Sequence, residues 1–296
     1  MRIMPCRRPG PQAGEPDGRR AWKNRAMNSV PTPPPLPRHR LPVATGVLVA
    51  INVGVWLLQV VSGVSPGHAS SPALIAWGGN LPLFTLTGDT WRLLTAMFLH
   101  GSIIHIGLNM YVLAFTAPVV EYEFGTPRML AIYLAGGLLA SCASVFWAET
   151  RWTPANPAAL LTVSVGASGA VMALFGSLLA GLVVPTPRFA HLPKHMQPGI
   201  NKGLIQAVAI NIGMGFMIQG VDNSAHVGGL LGGLVLGLLM AMAPAATGPR
   251  DTLARYVAAA GLVALCVGAL LHGAAAKQPL LKYLRAEVAP ELRFQR

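Results

Sequence analysis

Long stretches of apolar residues, separated by short polar segments, dominate the chain from residue 42 onwards. A helix needs about 20 mostly apolar residues to cross a bilayer core about 30 Å thick. Seven stretches approach this length: 42–62, 93–117, 129–148, 160–184, 204–221, 224–243 and 256–275. The pattern therefore predicts an all-α, polytopic membrane protein with about seven transmembrane helices.

Both ends of the chain differ from this membrane domain, which we place at residues 42–276. Residues 1–41 hold nine of the 22 Lys and Arg residues and nine prolines, and they contain no apolar run. Such a segment cannot bury enough apolar surface to fold, so we predict a disordered cytoplasmic tail. Met27 offers an alternative start to Met1. Residues 277–296 form a C-terminal tail.

The composition agrees with a membrane protein, because only 11% of the residues are charged and 53% are hydrophobic. Soluble domains carry about 25% charged residues. The net charge of +12 could indicate nucleic-acid binding, but no recognition motif accompanies it, and we expect no such partner. Fifteen of the basic residues fall on the same side of the predicted spans as the N-terminus. The positive-inside rule then predicts a cytoplasmic N-terminus. We expect a multi-pass protein of a bacterial inner membrane.

The residues that the predicted spans lack exclude several chemistries. No Asp or Glu lies within them, which argues against an aspartyl protease or a carboxylate-relay transporter, because both need membrane-embedded carboxylates. The HExxH signature of many zinc proteases is also missing from the sequence. The three cysteines are far apart, so we expect neither a disulfide framework nor a cysteine metal site. Nothing in the sequence calls for a cofactor.

Polar residues inside the second and fourth spans are candidates for chemistry, because such residues are costly in a membrane. His105 and Asn109 are four residues apart and project from one helical face. Ser168 lies between Gly166 and Gly169, near a predicted helix start, where the helix dipole favours developing negative charge. Small-residue packing between helices would explain the same glycines and serine.

His226 opens the sixth span and shares a helical face with Gly229 and Gly233. Such a glycine ridge lets two membrane helices approach closely, and the glycine-rich fourth span is an available partner. Close approach would bring His226 beside Ser168, at the separation of about 2.6–3.2 Å that a nucleophile and its general base need. A purely structural histidine is the alternative. In the predicted orientation, His226, Ser168 and His105 all lie at outer-leaflet depth.

Taken in order, these residues resemble the rhomboid family of intramembrane serine proteases, over about Gly78 to Gly237. The matching motifs are Trp91-Arg92, His100-x4-His105-x3-Asn109, Glu121 with Gly125, Gly166-Ala-Ser168-Gly169, Asn223, Ala225-His226, Gly229 and Gly233. The resemblance implies a rhomboid-like helical bundle with a six-helix core and an added seventh helix. It also implies single-span or polytopic membrane protein substrates, taken from the lipid bilayer.

The resemblance further implies a catalytic dyad, in which Ser168 is the nucleophile and His226 the general base and acid. His105, Asn109 and the Ser168 N–H would form the oxyanion hole. The other matching residues would support the site or the fold: Gly166, Met172 and Asn223 near the site, and Trp91, Arg92, His100, Glu121, Gly169, Gly229 and Gly233 in structural motifs.

One position departs from the family pattern, and two other functions stay open. Active rhomboids usually carry an aromatic residue four positions after the serine, where this chain has Met172, which puts full activity in question. A catalytically weak or inactive rhomboid-like protein that binds membrane clients is the main alternative. A haem protein that uses His105, His226 or His272 as ligands is the other, and it would leave Ser168 and Asn109 unexplained.

Overall fold

The computed structural model describes residues 42–153, 155–184, 197–217, 220–241 and 249–293. The basic segment 1–41, for which disorder is predicted, lies outside the described residues. Within the described part there is no β-strand, and the β structure consists of two isolated bridges. The helices are α1 (Val43–Val61), α2 (Ser71–Ala76), α3 (Pro82–Leu86), α4 (Arg92–Thr95), α5 (Ile103–Phe124), α6 (Thr126–Arg151), α7 (Ser168–Val183), α8 (Gln197–Met217), α9 (Asn223–Ala241), α10 (Pro249–Ala275) and α11 (Gln278–Arg293).

Five of the described helices, α1, α5, α6, α9 and α10, are long and apolar enough to cross a membrane. The apolar α7 has only 16 residues, and α8, with 21 residues, is not among the five. The prediction of an all-α, helical membrane bundle is therefore confirmed. The count of seven spans stays a prediction, because length and composition alone qualify five.

The predicted second span, 93–117, is wrong at both ends, because the helix here runs from Ile103 to Phe124. Residues 92–98 instead form α4 and a short 3-10 turn, Ala96–Phe98. Their apolar side chains pack inside the protein, where Leu93 and Met97 are each only 2% exposed. An average over a hydropathy window does not distinguish such buried loop residues from residues that face lipid.

The predicted fourth span, 160–184, also begins too early, since α7 starts at Ser168. The residues just before it are tied by backbone hydrogen bonds to the loop that precedes α5. Ser164 and Asn80 exchange two such bonds, of 2.9 and 3.0 Å, and the Gly166 N–H donates to the Ala96 carbonyl at 2.9 Å. These bonds hold residues 164–166 against that loop, just before the helix starts.

The interior of the bundle is built around α7, whose residues are almost all buried between α6 and α9. Helix α1 packs against α5 on one side, and α10 packs against α6 on another. A buried polar contact joins α1 to α6, where the Asn52 side chain donates to the Tyr133 hydroxyl at 3.4 Å. The helix that carries the predicted nucleophile is thus the most enclosed of the long helices that the structure describes.

The long loop between α1 and α5, residues 62–102, is folded, and residues 78–86 within it are all buried. It contains the short helices α2, α3 and α4, and the side chain of Ser70 caps α2 by accepting from the Ala73 N–H at 3.4 Å. Leu81, Leu83 and Leu86 are each 1% exposed. The C-terminal tail predicted at 277–296 also contains a helix, α11, which begins at Gln278.

Candidate active site

The first turn of α5 fixes the position of His105 and the orientation of its ring. Ser102 caps the helix, since its hydroxyl accepts from the His105 N–H at 3.1 Å. The ring Nδ1 accepts from the Gly101 N–H at 3.4 Å. Because a neutral imidazole carries one N–H and one acceptor nitrogen, this contact places the ring proton on Nε2. His105 therefore offers a hydrogen-bond donor on the opposite side of its ring.

That donor faces Gly166, two residues before Ser168. A Cβ atom built on Gly166 would lie 2.7 Å from His105 Nε2 and 3.8 Å from Asn109 Nδ2. The φ angle of Gly166 is +124°, a backbone conformation that residues with a side chain rarely adopt. Both the space and the backbone angle therefore require glycine. With glycine at this position, the His105 and Asn109 side chains lie against the backbone just before Ser168.

The side-chain amide of Asn109 uses only one of its two N–H donors. Its Nδ2 donates one hydrogen bond to the His105 carbonyl, one turn earlier in α5, at 3.0 Å. An amide nitrogen carries two hydrogens, so one remains for another acceptor. His105 and Asn109 together therefore present two side-chain N–H groups beside Gly166.

Ser168 is the first residue of α7, and its side chain is half-buried. No side chain caps this helix, so the N–H groups of its first turn are available to a ligand. The dipole of the helix adds a partial positive charge of about half a unit at this end. Ser168 thus lies where negative charge on a bound group would be stabilised.

Glycines join α7 to α9 by direct backbone contact. A Cβ atom built on Gly229 would lie 2.1 Å from the Gly169 carbonyl oxygen, and one on Gly233 would lie 2.0 Å from that of Ala173. From the other side, a Cβ on Gly176 would lie 2.1 Å from the Leu230 carbonyl oxygen. Any larger side chain would separate the two helices, so the glycines determine how closely they approach.

The same contact brings His226 to the end of α7 that carries Ser168. Ala225, the neighbour of His226, has its carbonyl oxygen 3.7 Å from a Cβ built on Gly169, the neighbour of Ser168. His226 is 6% exposed, and it lies close enough to His105 to interact with it electrostatically. The structure therefore gathers all four predicted catalytic and oxyanion residues at the N-terminal ends of three helices.

In this structure the Ser168 and His226 side chains are not hydrogen bonded to each other. Within the described residues the Ser168 hydroxyl has no hydrogen-bond partner, and Nδ1 of His226 is buried without one. Catalytic hydrogen bonds are often long in a free enzyme and shorten when substrate binds. Both groups remain available to each other and to a ligand.

Asp222 is a residue of this site that the sequence analysis did not single out. Its carboxylate accepts hydrogen bonds from the hydroxyls of Ser144 and Ser224 and, at 3.1 Å, from the Ala225 N–H. Burial alone would raise the pKa of Asp222, but these hydrogen bonds outweigh burial and hold the pKa below its ordinary value of 3.8. Asp222 thus caps α9 as an anion, and it lies within electrostatic reach of His226.

A signal for Asp222 was present in the sequence. Aspartate is a preferred residue at the position just before a helix, and Asp222 lies two positions before the predicted sixth span, 224–243. The serine that it binds on α6 lies 78 positions away, which no local pattern indicates. The cap was therefore recognisable, whereas its link to α6 was not.

Two other residues predicted near the site pack differently from each other. The Asn223 side-chain oxygen faces Gly215 of α8, where a Cβ would lie 1.8 Å from it, so Asn223 spaces α8 from the start of α9. Met172 is 1% exposed and belongs to the main apolar core. It lies one turn beyond Ser168 on α7.

The predicted structural-motif residues surround this centre. Arg92 is buried and donates to the carbonyls of Ile75 and Gly79 at 2.7 and 3.1 Å, while Trp91 is 50% exposed and stacks on the Arg92 guanidinium. Burial lowers the pKa of Arg92, and the hydrogen bond to Asp89 opposes that change. Arg92 thus ties the loop before α5 together.

Two further motif residues lie near opposite ends of α5. The His100 ring is 1% exposed and meets the His105 ring edge-on, with 5.1 Å between centroids. Glu121 accepts from the Thr45 hydroxyl of α1 at 3.0 Å and from the Thr126 hydroxyl at 2.8 Å. His100 thus backs the ring of His105, whereas Glu121 joins α1, α5 and α6 far from the site.

The fold and the site define a polytopic helical membrane protein with a cluster of one serine, two histidines and one asparagine at helix ends. A family model, the rhomboid domain, matches residues 87–243, which is just over half of the chain. The chain therefore belongs to the rhomboid family. This match includes all four residues of the cluster.

Curated relatives agree with this assignment. The chain is 30% identical to rhomboid protease GluP of Bacillus subtilis over 78% of its own length and 41% of the relative. It is 30% identical to rhomboid protease AarA of Providencia stuartii over 68% of its own length and 73% of the relative. It is 32% identical to RHOMBOID-like protein 7 of Arabidopsis thaliana over 62% of its own length and 51% of the relative. The chain spans less than two thirds of the first and third of these relatives.

Proposed function

We propose that this protein is a serine endopeptidase of the membrane, which hydrolyses peptide bonds in or near the transmembrane segments of membrane proteins. The observation that carries the proposal is the backbone contact between Gly169 and Gly229, because it brings the helix ends that bear Ser168 and His226 side by side. The two relatives that are named rhomboid proteases support the same activity.

In the proposed reaction, neutral His226 accepts the proton of the Ser168 hydroxyl as its oxygen attacks the substrate carbonyl. The resulting imidazolium then passes this proton to the nitrogen of the leaving amine, and the C–N bond breaks. A water molecule repeats the sequence on the acyl-enzyme and restores the serine. The nearby carboxylate of Asp222 stabilises the transient positive charge on His226.

The tetrahedral intermediate carries a negative oxygen, for which three donors are available. These donors are Nε2–H of His105, the second hydrogen of Asn109 Nδ2, and the backbone N–H of Ser168. Each preorganised donor of this kind contributes about 2.7–4 kcal/mol to transition-state stabilisation. The hydrogen bond from Gly101 to Nδ1 of His105 supports this role, since it leaves the donor on the correct side of the ring.

The short length of α7 supports a site below the membrane surface. At a rise of about 1.5 Å per residue, 16 residues span about 24 Å, less than the hydrocarbon thickness of about 30 Å. A helix that reaches one face would therefore begin several ångströms inside the other. We infer an inner membrane of a bacterium, and the distribution of basic residues supports the orientation in which the site opens to the outer side.

Substrate chemistry follows from this depth. A substrate helix hides its peptide carbonyls in internal hydrogen bonds, so the segment to be cut must unwind first. Unwinding is easiest at residues with low helix propensity, of which glycine is an example that costs about 1 kcal/mol relative to alanine. We expect cleavage at such segments near the outer end of a substrate span.

The test uses the purified full chain in proteoliposomes with a single-span membrane protein as substrate. The wild type should produce two fragments, and Ser168→Ala should produce none. Ser177→Ala is the matched control, because it removes another hydroxyl of α7, which donates to the Leu174 carbonyl, without altering the proposed dyad. Equal cleavage by wild type and Ser168→Ala would contradict the proposal.

A further inference from the structure

The C-terminal helix α11 is docked onto the loop between α1 and α5. The Gln278 side chain donates to the Leu86 carbonyl at 2.7 Å, and Leu281, only 1% exposed, joins an apolar cluster with Leu83 and Leu86. Lys277, just before the helix, forms an ion pair with Glu149 of α6. The helix thus has one face in specific contact with the protein, while residues such as Lys282 on the other face are exposed.

Arg285 makes the most specific of these contacts. One guanidinium nitrogen donates to both oxygens of Asp89, at 2.9 and 3.0 Å. The other donates to the Thr87 hydroxyl at 2.9 Å. The carbon of the guanidinium lies 4.6 Å from the centre of the Phe84 ring. Because its two nitrogens bind separate partners, the Asp89 carboxylate and the Thr87 hydroxyl, the guanidinium is fixed in direction as well as in distance.

Asp89 and Phe84 are also contacts of Arg92, so two arginines hold the same loop residues from different sides. Arg92 donates to Asp89 at 3.1 Å and lies 5.2 Å from the Phe84 ring. Its other hydrogen bonds reach the carbonyls of Ile75 and Gly79. Through Arg92, a displacement of Asp89 would therefore also displace the backbone just before Asn80.

That part of the loop is joined directly to the approach to the nucleophile. Asn80 and Ser164 exchange backbone hydrogen bonds, and a Cβ built on Gly79 would lie 2.7 Å from the Val163 side chain. Ser164 is four residues before Ser168 and two before Gly166, which faces His105. Hydrogen bonds, joined by short stretches of backbone, thus link α11 to the oxyanion region.

We propose that Arg285 is a positioning residue of the protease, through which α11 holds the loop and, with it, the segment 162–166 in the geometry that catalysis needs. This proposal rests on the proposed function. It assigns the C-terminal helix a part in catalysis, although that helix contributes no group to the reaction. A helix that served only to rest on the membrane surface would not need an ion pair to a loop aspartate.

The test compares Arg285→Gln with Lys282→Gln, which removes a positive charge from the exposed face of the same helix. Two activities are measured in proteoliposomes: kcat and KM for a single-span substrate, and the rate at which a fluorophosphonate labels Ser168. We expect kcat and the labelling rate to fall together by about fivefold to tenfold in Arg285→Gln, with KM nearly unchanged. Lys282→Gln should match the wild type, and Arg285→Lys should recover part of the loss.

Hydrogen exchange supplies a readout that does not depend on activity. In Arg285→Gln the amides of Asn80 and Ser164 should exchange faster, while those in the middle of α6 and α9 keep the wild-type rate. Unchanged exchange at both amides, or an equal loss of labelling in Lys282→Gln, would overturn the proposal for Arg285. A wild type in which Ser168 is not labelled would instead overturn the proposed function.

Discussion

Replacing Gly229 by alanine should separate the serine from the histidine while leaving the bundle folded. The new methyl group would lie 2.1 Å from the Gly169 carbonyl oxygen, and an ordinary van der Waals contact begins at about 3.4 Å. The atoms opposite it belong to the backbone of α7, which cannot rotate away as a side chain can. Helices α7 and α9 must therefore move apart by more than 1 Å at this point.

The consequences for stability and for rate differ in size. Overpacking a core by one methyl group costs about 1–3 kcal/mol, and alanine returns about 1 kcal/mol through its higher helix propensity. The net loss of stability is therefore small. A displacement of about 1 Å in a catalytic group lowers the rate by about 100-fold, so activity should be lost long before the fold.

The assay measures kcat on a single-span substrate in proteoliposomes, together with the thermal unfolding temperature of each variant. Gly261→Ala is the matched control, because it makes the same substitution in a membrane helix where a Cβ atom meets nothing within 4 Å. We expect Gly261→Ala to keep wild-type activity and Gly229→Ala to lose most of it at a similar unfolding temperature. Wild-type kcat in Gly229→Ala would refute the claim that this contact sets the dyad.

Two further substitutions test the residues around the dyad. Gly166→Ala should abolish cleavage because its Cβ would lie 2.7 Å from His105 Nε2. Gly125→Ala is the control: at a φ of +83° with nothing within 4 Å, it should lower the unfolding temperature but keep kcat. Equal losses of kcat in the two variants would contradict this. Asp222→Asn keeps a good helix cap, but it replaces the charge-assisted hydrogen bonds from the Ser144 and Ser224 hydroxyls by neutral ones. It should therefore lower the unfolding free energy by about 1 kcal/mol. The pKa of Asp222 is lowered in the folded state. Its carboxylate therefore contributes its full stabilisation of the fold at pH values above the ordinary pKa of 3.8, and this stabilisation is lost as the pH falls through the lowered pKa. The stability difference between wild type and Asp222→Asn should thus be constant from pH 8 to pH 5 and shrink below about pH 4; a difference that changes between pH 8 and pH 5 would argue against this account.

The long helices could be predicted from the sequence because crossing a membrane imposes both a length and an apolar composition. The first span was placed at 42–62 and the helix runs from Val43 to Val61. The grouping of His105 with Asn109, and of His226 with its glycines, followed from helical periodicity alone. These features depend on residues within one or two turns of each other.

Other features depend on contacts between distant residues, which no local pattern contains. Leu93 and Met97 read as part of a span because they are apolar, yet they are buried in a loop. The link from Asp222 to Ser144 and the docking of Arg285 on Asp89 join residues that are 78 and 196 positions apart. Composition identified the residue types but not their partners.

The surroundings of Met172 likewise depend on packing between distant residues. Active rhomboids usually carry an aromatic residue at this position, four residues after the serine. The methionine side chain is fully enclosed in the core around α7. A flexible thioether fills irregular space well, so the position is occupied without a ring.

The account depends most directly on Ser168 being a nucleophile that His226 activates. The full chain, in detergent or proteoliposomes, is incubated with a fluorophosphonate, digested and examined by mass spectrometry, alongside His226→Ala. The account predicts a phosphonate adduct on the peptide that contains Ser168 in the wild type, and little or none in His226→Ala. An adduct on another residue, or equal labelling of Ser168 in the two proteins, would contradict it.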